Sequence, residues 1–356
     1  MPQHKVLVVD DSALMRRLLT QLLKADGYEV VTAGNGEEAV QCLLREQPDV
    51  VTLDINMPRM DGLTALSLMM AARATPTIMV SSLTAQGALA TLEALALGAV
   101  DYIEKPGGTI SLSIDEIAAA LSKKIRTAIK SKPRLQPSIS RTQTLSANVS
   151  IPKNTPQPAL TLPAGDINVV LIGVSTGGPR TLEDILPLLP ADLPAAVVIA
   201  QHMPANFTQT FAQRMDRVCP MPVREVDAPM PLMAGHVYVG KGGTDVVVTR
   251  RLGRLVVMPM PESAQHLWHP SVDVMVSSAM QCVSASRLIG VQLTGMGNDG
   301  AASMAQLKQA GGKTIAESQE TAVVFGMPHE LIQRGGASVV LPAHSVAQQL
   351  RSWMQT

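Results

Sequence analysis

The sequence predicts two α/β domains in tandem, each built on a parallel sheet, and three observations carry the expectation. Apolar runs of strand length alternate with helix-period segments from Lys5 to about Lys130, and again from Ile167 onward. A proline-rich tract without periodicity separates the two series. At 356 residues the chain also exceeds one typical domain.

The first series runs VLVV, SALMRRLLTQLLK, YEVVTA, EEAVQCLLREQ, VVTLD, TIMVSS and VDYIEK, the rhythm of βαβ units. In its first helix Leu14, Leu18 and Leu22 recur every four residues beside Met15, Leu19 and Leu23, giving one apolar face. The last helix opens SIDEIAAALSKKIRTAIK, where Ser113 and Glu116 have capping-box spacing. From Ser131 to Gly165 the prolines Pro133, Pro137, Pro152, Pro156, Pro158 and Pro163 interrupt a Ser/Thr/Gln-rich stretch with no acidic residue. This predicts a flexible tether, locally basic through Lys132, Arg134, Arg141 and Lys153. The second series runs INVVLIGVS, AAVVIAQH, HVYVGK, VVVTRR, RLIGVQLTGMG and TIAES, with no internal repeat of solenoid period.

Composition narrows the class of function. Lysines and arginines number 29 against 29 acids, so no global field draws the chain to nucleic acid or to an anionic membrane. Aromatics are only 2% and methionines number 20, so the cores are filled by aliphatic and thioether side chains. Cys42, Cys219 and Cys282 are far apart and odd in number, which points away from a disulfide framework or a zinc site. The start MPQHKVLVVDDS runs straight into a strand, and no apolar run reaches about 18 residues. A cytoplasmic protein without direct membrane insertion is expected.

In an open parallel sheet the site lies at the carboxyl ends of the strands, and the acids of the first series sit there. Asp10 and Asp11 follow VLVV, and Asp54 follows VVTL. Three converging carboxylates call for a hard cation, usually Mg²⁺. Ser82 ends IMVSS and Lys105 ends VDYIEK, adding a hydroxyl and an ammonium. Together these make a phosphoryl-transfer site in which Asp54 attacks while Mg²⁺ and Lys105 neutralise the phosphoryl oxygens. A single aspartate here would more simply cap the next helix; five residues at successive strand ends go beyond that. These residues, with DINMPRMDG and the KP of Lys105-Pro106, resemble the receiver domain of response regulators over about Lys5 to Lys130. The resemblance implies a flavodoxin-like, five-stranded parallel sheet. It also implies Mg²⁺ held by Asp10, Asp11 and the Asn56 carbonyl, phosphorylation of Asp54 from a phosphohistidine, and a switch in which Ser82 and Tyr102 take part.

In the second series LIGVSTGGPR supports two chemistries. Gly173-Val174-Ser175-Thr176-Gly177 satisfies the G-x-S-x-G nucleophile elbow, with Pro179 suited to the first turn of a helix. The same letters form a degraded dinucleotide fingerprint, with Ser175 in place of the middle glycine. That site would also want an acid at the end of the next strand, where Gln201-His202 stands instead. His202 can reach Ser175 across the sheet top as general base, and Asp299, from LTGMGNDGAAS, supplies the orienting carboxylate. Asp299 could also cap the helix after it. The order Ser, His, Asp is not that of an α/β-hydrolase. Oxyanion donors would be backbone N–H groups at the helix start, Thr176 first and then Gly177, or in the loop around Met296. His266 and His269 in HLWH could form a metal pair, but no third ligand stands near.

The motifs IGVSTGGP, QHMPANFT, HPSVDV, LTGMGNDGAA and VVFGMP resemble the catalytic domain of the CheB chemotaxis methylesterases from about Asp166 to the C-terminus. The resemblance implies a doubly wound, mostly parallel α/β esterase domain. It implies hydrolysis of glutamate γ-methyl esters on methyl-accepting chemotaxis receptors, with deamidation of receptor glutamines, by Ser175, His202 and Asp299 and without a cofactor. A CheA-type histidine kinase would be the phosphodonor. The expected divisions are receiver 4–130, linker 131–165 and catalytic domain 166–356. The segment VYVGKGGTD departs from the family at Lys241, usually proline, and near Thr244, usually basic or aromatic, which bears on receptor contacts. Two other readings are a receiver joined to a nucleotide-binding oxidoreductase, which lacks its ribose acid, and a DNA-binding regulator, which a neutral chain with a second α/β domain disfavours.

Overall fold

The computed structural model describes residues 4–81, 84–105, 114–131 and 167–354. Ser82, Ser113 and the Glu116 side chain of the capping box, and all of the tether after Ser131 lie outside the described residues.

The N-terminal domain runs β1 (Lys5–Val9), α1 (Ala13–Ala25), β2 (Glu29–Ala33), α2 (Gly36–Glu46), β3 (Val50–Asp54), α3 (Gly62–Ala72), β4 (Thr77–Ser81), α4 (Ala85–Leu97), β5 (Asp101–Glu104) and α5 (Ile114–Lys130). Its parallel strands lie in the order β2-β1-β3-β4-β5, the flavodoxin-like arrangement, with the switch point between β1 and β3. Helices cover both faces, so β3 and β4 are buried throughout and read as near-continuous apolar runs. Helix starts follow their caps. Ser12, Asn35, Asp61 and Thr84 each accept the N–H three residues on, as N-cap side chains do. The apolar face of α1 is narrower than its leucines suggest. Leu19 and Leu23 are buried against the sheet, whereas Leu14 is exposed, because only the central row of a broad stripe touches the layer below.

The C-terminal domain begins with β6 (Asn168–Val174), α6 (Gly178–Ile185), β7 (Ala195–Gln201), α7 (Ala205–Val218), β8 (Val223–Val226), β9 (Met230–Pro231), β10 (Val237–Gly240), β11 (Asp245–Arg251) and β12 (Arg254–Met260). It continues with α8 (Val272–Cys282), β13 (Leu288–Gln292), α9 (Ala301–Gln309), β14 (Lys313–Glu317), α10 (Met327–Gln333), β15 (Val339–Leu341) and α11 (Ala343–Met354). Seven strands pair in parallel in the order β15-β14-β13-β6-β7-β10-β8. Strands that follow β6 build outward first on one side and then on the other, so β6 is the switch point where a crevice opens.

The segment VVVTRR does not join this sheet. It forms β11, which turns through Leu252 and Gly253 into antiparallel β12, with β9 completing a three-stranded sheet. Both turn residues have positive φ (49° and 76°), the backbone of a tight two-residue hairpin. A strand followed by so short a turn cannot make the crossover that parallel pairing needs.

The two domains share apolar surface. Helix α4 packs on α6 and α7, and one continuous cluster of buried side chains runs from Leu92 and Leu95 to Phe207 and Phe211. Tyr102 stacks on Phe207 with centroids 4.8 Å apart and planes at 13°. Burying a side chain such as Phe207 is worth about 1.5–3 kcal/mol, so this seam is held mainly by apolar contact.

Gly62, at the start of α3, lies directly on the end of β3, where a Cβ would sit 2.1 Å from the Asp54 carbonyl oxygen. Gly62→Ala is expected to destabilise the N-terminal domain by about 1–3 kcal/mol, as overpacking against rigid backbone does, which denaturant titration would measure.

Candidate active site

The serine loop is placed by strand register. Parallel pairing sets Val174 opposite Gln201, so Ser175 and His202 are the next residues on adjacent strands, and the His202 N–H donates to the Val174 carbonyl at 3.0 Å. On the other flank of β6, Gln292 pairs with Gly173, which brings the loop after β13 to the same edge. Gly177 takes φ +80° at the N-terminal boundary of α6, where a Cβ would lie 2.7 Å from Val323. Pro179 occupies the first turn of that helix. The Ser175 N–H donates to the Thr294 carbonyl at 2.9 Å, and Glu317 in turn accepts the Thr294 N–H at 2.8 Å.

His202 and Asp299 meet, Nε2 lying 2.8 Å from Oδ2, with both side chains buried. Asp299 does not cap α9, whose N-cap is Gly300. It caps α8 instead: Oδ2 accepts the Val272 N–H at 2.7 Å, while Oδ1 accepts the Asp273 N–H and the Ser271 hydroxyl, each at 3.0 Å. A helix N-terminus is a favourable seat for a carboxylate. Burial pushes the Asp299 carboxyl up, but the His202 ring and these N–H groups outweigh it and hold it below the usual carboxylate range. The carboxylate therefore stays ionised beside the imidazole. The other ring nitrogen, Nδ1, is buried without a hydrogen-bond partner, and Ser175 lines the same cavity. Among the described residues, no hydrogen bond engages the backbone N–H of Thr176, Gly177 or Met296.

Gln201 occupies the strand end where a nucleotide site would carry its ribose acid. Its amide donates to the carbonyls of Ser175 and His202 at 3.0 and 3.2 Å, tying the two loops together. The residues of HLWH have separate partners: His266 Nδ1 lies 2.9 Å from Ser263 Oγ, and His269 Nδ1 lies 3.0 Å from Asp245 Oδ1. Trp268 stacks on His202, centroids 5.2 Å apart and planes at 11°. Neither the ring contact of Trp268 nor the loop-tying role of Gln201 has a signal in the sequence beyond adjacency to the two histidine motifs.

In the N-terminal domain Asp10, Asp11 and Asp54 each offer a carboxylate oxygen within 4.8 Å of the others, and no other metal-competent group of this kind occurs among the described residues. Asp10 does not cap α1, which Ser12 does; its Oδ1 accepts the Ser12 N–H at 2.8 Å. Lys105 Nζ lies 2.7 Å from Asp54 Oδ2 and 3.2 Å from Asp10 Oδ2, in ionic contact without hydrogen-bond alignment. Three carboxylates against one ammonium leave negative charge in a mostly buried cluster, a donor set that fits a hard divalent cation. Burial raises the Asp54 carboxyl above its ordinary range despite the pull of Lys105. Burial works against the charge of Lys105, but Asp54 and Asp10 prevail and raise its pKa. Asn56 is exposed beside the cluster, and its N–H donates to Asp54 Oδ1 at 3.3 Å.

The domains meet at this site. Thr176, next to Ser175, donates its hydroxyl to Asp101 Oδ2 at 2.8 Å, while Lys124 holds the other oxygen of that carboxylate at 2.8 Å. Lys123 stands over the Trp268 ring at 4.7 Å, and Thr127 Oγ1 lies 3.2 Å from Met296 Sδ. Thus β5 and α5 lie across the crevice that holds Ser175. Tyr102 is half-buried in the seam, and the loss of water there pushes its phenol well above the usual value.

Residues 170–350 match a family model described as CheB methylesterase, and residues 6–114 match one described as response regulator receiver domain. The chain is 52% identical over 355 residues to protein-glutamate methylesterase/protein-glutamine glutaminase 3 of Rhodospirillum rubrum, covering 98% of this chain and 96% of the relative. It is 46% identical over 356 residues to a relative of the same description, numbered 2, from Carboxydothermus hydrogenoformans, covering 98% and 99%. The crystal structure of the Thermotoga maritima CheB methylesterase catalytic domain is 37% identical, with a TM-score of 0.51, covering 53% of this chain and 99% of that one. Among the described residues no helix is long and apolar enough to cross a membrane. With both family models matched in order and relatives aligned almost end to end, the chain belongs to the CheB methylesterases, preceded by a response regulator receiver domain.

Proposed function

We propose that this protein is a phosphorylation-activated serine hydrolase of chemotactic adaptation, which removes methyl groups from glutamate γ-esters of chemoreceptors and deamidates receptor glutamines. The observation that carries this reading is the His202–Asp299 pair: Nδ1 of His202 is buried and unpartnered, and His202 lines one cavity with Ser175 at the adjacent strand end. Ser175 Oγ attacks the γ-carbonyl carbon and its proton passes to His202 Nδ1. The N–H groups of Thr176, Gly177 and Met296 receive the oxyanion. The C–O bond to methanol breaks as His202 returns the proton to the leaving oxygen. Water then adds to the acyl carbon, losing its proton to His202, which passes it to Ser175 as the acyl bond breaks. Gln201 leaves no place for a ribose acid, so the nucleotide reading has no support.

The proposed division is receiver 4–130, tether 131–165 and catalytic domain 166–356. In the receiver, Asp10, Asp11, Asp54 and the Asn56 carbonyl would hold Mg²⁺, which when bound supplies charge neutralisation at the phosphoryl oxygens. Asp54 accepts the phosphoryl group from a CheA-type histidine kinase in the cytoplasm, and Lys105 pairs with it. Ser82 and Tyr102 are the switch residues. Tyr102 stacks on Phe207 in the catalytic domain, so moving it loosens the docked face and uncovers Ser175 for receptor.

Ser175→Ala is expected to lower methanol release from methylated receptors by about 10⁴-fold or more, and His202→Ala similarly. Asp299→Asn loses an acceptor for α8 as well as the orienting charge, so activity falls with a stability loss of about 1–3 kcal/mol. Unchanged methanol release from Ser175→Ala would remove it from the reaction.

Asp54→Asn is expected to abolish labelling by the phosphodonor and leave basal esterase activity. Because the folded receiver raises the Asp54 carboxyl, it binds that proton more tightly than the unfolded chain does, and ionised Asp54 opposes folding at neutral pH. Without Mg²⁺, the wild type should therefore gain stability relative to Asp54→Asn as the pH falls from 7 toward the unfolded value of about 3.9, which thermal melts across that range would measure. A fragment spanning 166–356 should release methanol from receptors faster than the unphosphorylated full chain and ignore phosphodonors. A slower fragment would make the receiver an activator.

A further inference from the structure

We propose that the resting enzyme, with its receiver docked, already hydrolyses small uncharged carboxylic esters at Ser175, so that the receiver filters substrates by size and does not switch the chemistry off. The inference rests on the triad reading above and adds an activity to it. Between the docked domains lies a cavity of about 670 Å³, walled by Leu95, Tyr102 and Lys124 of the receiver and by Ser175, His202 and Trp268 of the catalytic domain. That is within the range of pockets that take small ligands, about 300–1,000 Å³. Ser175 itself stays half-buried with the receiver in place.

Among the described residues, the receiver walls this space without a hydrogen bond to Ser175 or His202. Its polar contact with the serine loop goes to the Thr176 hydroxyl, and Lys123 lies over Trp268 and not over His202. Among the described residues, His202 Nδ1 has no partner and the N–H groups of Thr176, Gly177 and Met296 are unengaged in the docked state. Ser175, His202, Thr176, Gly177 and Met296 thus line one cavity, and the hydrogen bond from Ser175 to His202 Nδ1, not made at rest, would form as an ester binds. What the docked state lacks is room for a polypeptide. One helical turn, about 10–12 Å across and 5.4 Å long, would fill most of such a volume, and the chain on either side of it would run into β5 and α5. Of the charged groups that line the cavity, Lys124 is paired with Asp101 and Lys105 with Asp54, while Glu104 adds a further carboxyl, which disfavours an anionic ester against an uncharged one. For such an ester Ser175 Oγ bonds to the carbonyl carbon, its proton goes through His202 to the departing alcohol, and water completes the cycle by releasing the acid and restoring Ser175.

The test uses the full-length protein with p-nitrophenyl acetate as probe, resting or activated with Mg²⁺ and beryllofluoride, alongside methanol release from methylated receptors. The expected result is nitrophenol release changing by less than about twofold on activation while methanol release rises by about tenfold or more. If both rise in parallel, small esters react only in the undocked state and the inference is overturned. Ser175→Ala should abolish both reactions. Loss of methanol release with nitrophenol release intact would overturn the small-ester assignment alone, whereas loss of neither would overturn the triad reading beneath it.

Discussion

The buried carboxylate of Asp299 is the constraint around which the catalytic edge is arranged. A carboxylate taken out of water is tolerated only when its oxygens are satisfied, and here both are: Ser271 and Asp273 on one, Val272 and His202 on the other. The start of α8 supplies most of those donors, so the helix and the imidazole are oriented by one group. That arrangement leaves the second ring nitrogen buried without a hydrogen-bond partner, on a residue that lines the same cavity as Ser175. The same interaction stabilises the fold and sets the chemistry, which is why a change at Asp299 should register in both.

Parallel sheets explain why the two sites can meet at all. In each domain the reactive groups stand at the carboxyl ends of strands, because that edge is where the loops of an open α/β sheet leave a crevice at the switch point. The receiver brings its β5 edge, through Asp101 and Tyr102, against the loop after β6 and the start of α7. Lys105 ends that same strand at the acidic cluster. A change of charge at Asp54 is therefore one short strand away from the contacts that seat the receiver on Thr176 and Phe207. The seam is apolar at α4 and polar at the crevice, so it can hold the domains together while depending on a few hydrogen bonds for its placement.

Much of this was legible in the residues alone. Alternating strands and helices gave both parallel sheets, and strand-end positions singled out Asp10, Asp11, Asp54, Lys105, Ser175, His202 and Asp299, because the period of a strand and the cap of the next helix are local properties. The hairpin of β11 and β12 escaped the alternating reading, since VVVTRR has the same pattern whether it pairs in parallel or folds back. Its partner decides, not its composition.

Long-range pairing decided the remainder. That Asp299 caps α8, 26 or 27 residues upstream, depends on β13 lying beside β6, a fact of strand order which no local pattern encodes. Trp268 faces His202 only because the loop before α8 folds over the sheet edge. The docking of Asp101 on Thr176 joins residues 75 apart across two domains, and it exists only where two independently folded surfaces fit. Which groups can carry the chemistry is written locally, in side-chain identity and strand-end position. Which of them touch is settled by the packing of whole elements and the register of strands far apart in the chain.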